Sequence, residues 1–117
     1  MSSAESGNPA KAGVAAYELL RDAIVRRLQV VATYRGMRRE MCPHALGRKN
    51  GRAQCLFYQF GGESGSERIV PGGTDNWRCI PVDELSDVEL REGTWYSAAI
   101  GRTRQSCVDS VDLETAP

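Results

Sequence analysis

The chain of 117 residues has no long apolar run, a single histidine and no net charge, and each shortage excludes something. A membrane-crossing helix needs about twenty consecutive apolar residues, and no stretch here supplies them. The opening MSSAESGNPAKAG has no apolar centre of the kind a secretory signal carries. The expected location is therefore the cytoplasm, with no membrane partner. Lys+Arg and Asp+Glu balance at 15 each, so no overall field draws the chain toward nucleic acid or acidic lipid. With only His44 available, no Ser/His/Asp arrangement has spacing support, and nothing selects one cysteine as a nucleophile beside it. GGESGSE and PGG lack the strand–turn–helix setting of a phosphate-binding or dinucleotide fingerprint. Neither catalysis nor a cofactor is expected.

Paired cysteine spacing is also lacking. Cys42 and His44 form one loose C-x-H pair, and Cys55, Cys79 and Cys107 stand singly. Structural zinc sites use closer pairs, so no metal is expected. In a cytoplasmic setting all four thiols are expected to be reduced. Three of them have apolar neighbours and read as small core residues.

What is present suits one domain. Residues 1–12 are small and polar and read as a disordered tail. In VAAYELLRDAIVRRL, residues 14–28, Tyr17, Leu20, Ile24 and Leu28 form one stripe at helical period. QVVATYRG changes to period two, which predicts a strand closing at Gly36. MRREMCPHAL predicts the returning strand, bent at Pro43, whose missing N–H suits an edge or a bulge. Asn50-Gly51 is a hairpin signal, and AQCLFYQF after it has apolar residues on both faces, as a central strand does. GGESGSERIVPGGTD reads as a long loop, NWRCI as a strand, PVDEL as one helical turn and SDVEL as a last short strand. TWYSAAIG or SCVDSVDL in the tail can add an edge strand. The predicted fold class is mainly β with an N-terminal helix, a small Sm-like or SH3-like barrel of five strands. The helix and barrel would occupy residues 13–92, with 93–117 as an extension.

Charge is uneven along the chain. Residues 18–54 hold nine basic and three acidic side chains, and residues 82–117 hold three basic and eight acidic. The two stretches either make a local basic patch or partly neutralise each other as solvated faces.

Taken together, these residues resemble the WYL domain of bacterial regulators. Ala23-Ile24 match the family's helix, Tyr34 the end of its first strand, and Pro43 with Leu46 its P-x-x-L. RCIPVDEL matches the last element, with Arg78, Ile80, Val82, Asp83 and Leu85 in register. Of the triplet that names the family only Leu56 survives, in QCL, and Glu84 replaces an arginine. No helix-turn-helix precedes the barrel, and the tail is short for the family's companion domain. The resemblance, over roughly residues 17–90, implies a stand-alone regulatory module. It would bind an anionic ligand, a nucleotide or short single-stranded nucleic acid, through basic and aromatic side chains.

Arg78 is the pivotal residue. A guanidinium inside an apolar strand must be paired or must face a groove or solvent. Alternation sets it opposite Trp77 and Cys79, and Asp83 or Glu84 could pair with it. Alternatively its planar fork clamps a phosphate or carboxylate. Tyr34, Arg35, His44 and Tyr58 are its candidate companions, an aromatic ring stacking a base while a cation holds the phosphate. For Tyr34 and Tyr58 the competing role is core packing with the hydroxyl at the rim, and for His44 a backbone-bonded loop position. The competing function is an adaptor that uses the barrel surface to contact another protein.

Overall fold

The computed structural model describes residues 9–63, 69, 73, 76–98 and 105–115. Most of the predicted N-terminal tail and most of the Gly/Ser-rich loop lie outside the described residues.

One helix, α1 (Pro9–Arg26), lies against a six-stranded antiparallel sheet. Leu20, Ala23 and Ile24 on one side of α1 are at most 4% exposed. The helix ends in a Schellman motif. Leu28 N–H donates to the Ala23 carbonyl at 2.9 Å and Arg27 N–H to that of Ile24 at 3.3 Å. Arg27 occupies the left-handed position, φ 55°, where glycine is usual.

The strands are β1 (Gln29–Tyr34), β2 (Met37–Lys49), β3 (Arg52–Gly62), β4 (Trp77–Pro81), β5 (Ser86–Arg91) and β6 (Ser110–Glu114). Arg35-Gly36 turns β1 into β2, and Asn50-Gly51 turns β2 into β3. All four residues have φ between 53° and 80°, the primed turn that matches strand twist. A single 3-10 turn, Val82–Glu84, separates β4 from β5. In β3, Cys55, Leu56, Phe57 and Tyr58 are all buried, so this strand is covered on both faces.

The strand order is β4-β3-β2-β1-β5, with β6 on β2. The predicted five-stranded closed barrel is met only in part: among the described residues the sheet has six strands, and β4 and β5 are not hydrogen-bonded to each other. β4 is only five residues long and ends at Pro81, which has no N–H to offer a second neighbour. β2 is long enough to serve two partners on one side. Its first half pairs with β1 through Met41, and its second half with β6 from Ala45 to Arg48. Pro43 falls in the interval between them, at a register shift against β3. Its missing donor costs no ladder bond there. Of the two tail segments, SCVDSVDL supplies the strand, whereas residues 92–98 run without ladder pairing.

Two cores result. The inner one lies between α1 and the sheet and includes Leu20, Ile24, Ala32, Met41, Phe57 and Ile80. The outer one is smaller, with Ala45, Leu56, Cys107 and Val108, and Trp77 against it. Cys79 and Cys107 are joined as a disulfide in this outer layer. The expectation of four reduced thiols is thus corrected: two are paired and two are free. The pairing depends on β6 returning alongside β2, which brings together residues 28 apart in sequence. Cys42 and Cys55 are free and buried; burial raises the Cys42 thiol to about 11 and Cys55 well above its usual range. No helix among the described residues is long and apolar enough to cross a membrane.

Several ion pairs join the basic and acidic stretches of the chain. Arg21 meets Asp112 at 3.1 Å, Arg52 meets Asp83 and Glu84 at 3.0 and 2.8 Å, and Arg91 approaches Glu40 at 3.6 Å. Mutual neutralisation therefore accounts for these cations, and it is elsewhere that positive charge gathers.

Candidate anion-binding site

Antiparallel partners project from the same face of a sheet. Arg39 stands opposite Ala32, Arg78 opposite Phe57 and Gln59 opposite Met41. Ala32, Phe57 and Met41 all belong to the inner core. Arg39, Arg78 and Gln59 therefore share that inner face, at the end where β1 turns into β2 and β4 begins. Tyr34, two residues beyond Ala32, joins them at the margin of the core. At this end of the sheet the apolar face gives way to two guanidinium groups, an amide and a phenol.

Arg39 is the more buried of the two guanidinium groups, with 5% of its surface exposed. Its Nη1 donates to Gln59 Oε1 at 3.2 Å, and its Cζ lies 5.0 Å from the centre of the Tyr34 ring. Arg35, in the tight turn, sets a second guanidinium 5.1 Å from the same ring. Arg39 Nε is buried and has no hydrogen-bond partner, and Arg39 makes no ion pair among the described residues. Burial, and next the neighbouring Arg78, hold Arg39 below the usual guanidinium range. Arg35 acts in the same direction, while Tyr34 and Glu63 pull it back. Guanidinium groups still stay protonated in proteins, so a desolvated cation sits here beside two others. Such a group is costly unless an opposing charge completes it.

Arg78 is half-buried and donates from Nη1 to the Trp77 carbonyl at 3.0 Å. Of the alternatives open to it, alternation sets Arg78 on the inner face, with Trp77 and Cys79 in the outer layer. Asp83 and Glu84, its expected ion-pair partners, are engaged with Arg52.

His44 and Tyr58 project from the opposite face. The bulge after Pro43 turns both His44 and Ala45 outward, and His44 packs 4.9 Å from Trp77 and 5.0 Å from Trp95. The expected groove that joined Arg78, Tyr34 and His44 is therefore corrected: the sheet lies between them. His44 is 8% exposed and both ring nitrogens are used, Nε2 with the Tyr96 carbonyl at 3.2 Å and Nδ1 with Thr115 Oγ1 at 3.0 Å. A carbonyl only accepts, so Nε2 carries the proton and Nδ1 accepts from the threonine hydroxyl. Burial first lowers the His44 pKa below 6.5. Tyr58 is fully buried, its ring 5.2 Å from Trp77, and its hydroxyl donates to the Gly73 carbonyl at 2.7 Å.

Of the candidate residues, the structure thus brings together Tyr34, Arg35 and Arg78, and sets His44 and Tyr58 apart. It adds Arg39 and Gln59, which the reading of the sequence did not single out. The signal for Arg39 was parity: in MRREM it is in phase with Met37 and Met41. A charged residue in phase with the apolar set of a strand is a residue that must be explained. Comparison of the chain with family models, with curated proteins and with solved structures finds no match.

Proposed function

We propose that the chain is a small binding module that takes an anionic ligand at the inner-face cluster of Tyr34, Arg35, Arg39 and Arg78. The observation that carries this reading is Arg39, a guanidinium 5% exposed whose Nε lacks a partner among the described residues, beside two further cations. The strand order β4-β3-β2-β1-β5 with one 3-10 turn before β5 is the order expected of an SH3-like barrel, and it supports the WYL-like reading of the fold. That resemblance also motivates a regulatory role with a nucleotide or short single strand as ligand.

The test is a thermal-shift and calorimetric screen with nucleotides and short oligonucleotides. A ligand that binds the folded state raises the melting temperature. Replacing Arg39 by Ala removes a charge-assisted hydrogen bond worth about 1.5–3 kcal/mol, a weakening of about 10- to 150-fold. Arg39→Lys also weakens binding, because a point charge does not reproduce the planar fork. A flat response across the panel overturns the reading and favours the adaptor.

A further inference from the structure

This inference rests on the anion-binding reading above and concerns the class of anion. We infer that the cluster takes a terminal phosphate monoester, in its doubly charged form, rather than the internal phosphodiesters of a strand or a stacked base.

Three observations lead there. First, the Tyr34 ring already has two guanidinium groups over it, from Arg35 at 5.1 Å and Arg39 at 5.0 Å. A nucleobase would have to compete with these cations for the ring, so Tyr34 acts as a platform for the arginines and the recognised part of the ligand is its charged end.

Second, among the described residues the cations that act on Arg39 outnumber the carboxylates by two to one. The groups that act on it are the cations Arg78 and Arg35 against the carboxylate Glu63 and the phenol of Tyr34. Arg38, next in sequence, is paired with Glu40 at 3.1 Å on the opposite face. Arg78 keeps its bond to the Trp77 carbonyl, and the inference needs only the sign of its charge at Arg39. In such a field a dianion gains about twice the Coulomb energy of a monoanion at the same distance. A monoester carries about −1.5 to −2 at neutral pH, a diester −1.

Third, the donors are guanidinium groups that approach from β2 and from the β1–β2 turn, Arg39 and Arg35, with the charge of Arg78 on β4 beside Arg39. A monoester presents three terminal oxygens and can be gripped from several directions at once, and a diester presents two. Arg39 Nε, buried and without a partner, is the donor such an oxygen would satisfy.

The experiment uses the full chain and five small probes: methyl phosphate, dimethyl phosphate, 5′-AMP, adenosine and sulfate, each followed by thermal shift and calorimetry at pH 8 and pH 5. Methyl phosphate and 5′-AMP should bind, and dimethyl phosphate and adenosine at least tenfold more weakly. The second phosphate ionisation lies near 6, so binding of the monoesters should weaken by about tenfold at pH 5 as the dianion is protonated. Sulfate remains a dianion at both pH values and should be unaffected. Arg39→Met should weaken all of this binding by about 10- to 150-fold. Equal affinity for dimethyl and methyl phosphate overturns the monoester preference but leaves anion binding standing. A parallel loss of sulfate binding at pH 5 assigns the pH effect to the protein and overturns the dianion argument. Absence of any anion binding overturns the underlying reading as well.

Discussion

Arg39 and His44 are both buried polar side chains, and they meet the cost of burial in different ways. His44 stays neutral and has both ring nitrogens engaged. Its folded pKa is lowered from 6.5 by burial, so at lower pH the unfolded chain binds the proton and the folded chain does not. Stability should therefore fall as pH drops below about 6.5, with a slope of up to about 1.4 kcal/mol per pH unit until the folded-state value is reached. Urea denaturation at several pH values between 7 and 5 should show this slope, and His44→Gln should remove it. Arg39 cannot shed its charge, and it carries the strain of desolvation in the free protein. Arg39→Met should accordingly leave stability within about 1 kcal/mol of the starting chain, since a buried charge replaced by an apolar side chain of similar length is often neutral or better. If Arg39 served only the fold, the same variant would lose several kcal/mol in chemical denaturation.

At the level of elements, two glycines of β2 and its turn separate conformational strain from collision. Gly51 has φ +80° and open space where a Cβ would stand. Gly51→Ala should cost about 1 kcal/mol, the penalty for a left-handed backbone alone. Gly47 has ordinary backbone geometry, but a Cβ there would run into the Ser110 carbonyl oxygen and Val108. The backbone of β6 cannot yield as a flexible side chain would. Gly47→Ala should therefore cost about 2–3 kcal/mol, at the upper end for overpacking. Its effect should also be local. Amide exchange over residues 110–114 should accelerate, while β3 keeps its protection. Uniform acceleration across the sheet would mean that β6 belongs to the central folding unit.

For the molecule as a whole, the outer face of β2 and β3 is covered by two segments of the tail, held among other contacts by His44, Gln54 and the disulfide. His44 bridges Tyr96 and Thr115, Gln54 Nε2 donates to the Cys107 carbonyl at 2.8 Å, and the disulfide joins Cys107 to Cys79. Closing a loop across a sequence separation of 28 restricts the unfolded chain, which by the loop-entropy account stabilises the fold by about 3.5 kcal/mol. The double variant Cys79→Ser, Cys107→Ser, or the original chain under a thiol reductant, should lose up to that amount in denaturation. Anion binding should persist under the same treatment, because Arg39 and Arg78 lie on the inner face, away from the covered layer. Loss of binding on reduction would show that the two faces are coupled.

Much of the architecture is local in origin and was legible along the chain. The stripe of Leu20 and Ile24 needs only helical period, Asn50-Gly51 needs only a left-handed pair, and β3 announces its double burial by apolar residues on both faces. Alternation likewise separates Arg78 from Trp77 and Cys79 without any structure. It does not say which of the two faces becomes the inner one, because that depends on where a helix more than fifty residues away in sequence packs. The tertiary structure decided that Arg78 and Arg39 face inward beside Tyr34. It also decided, through the bulge after Pro43, that His44 turns to the opposite face. Its other decision was to lay β6 on β2, which brought Cys107 to Cys79. Those contacts join residues distant in sequence, and periodicity, which compares a residue only with its near neighbours, carries no information about them.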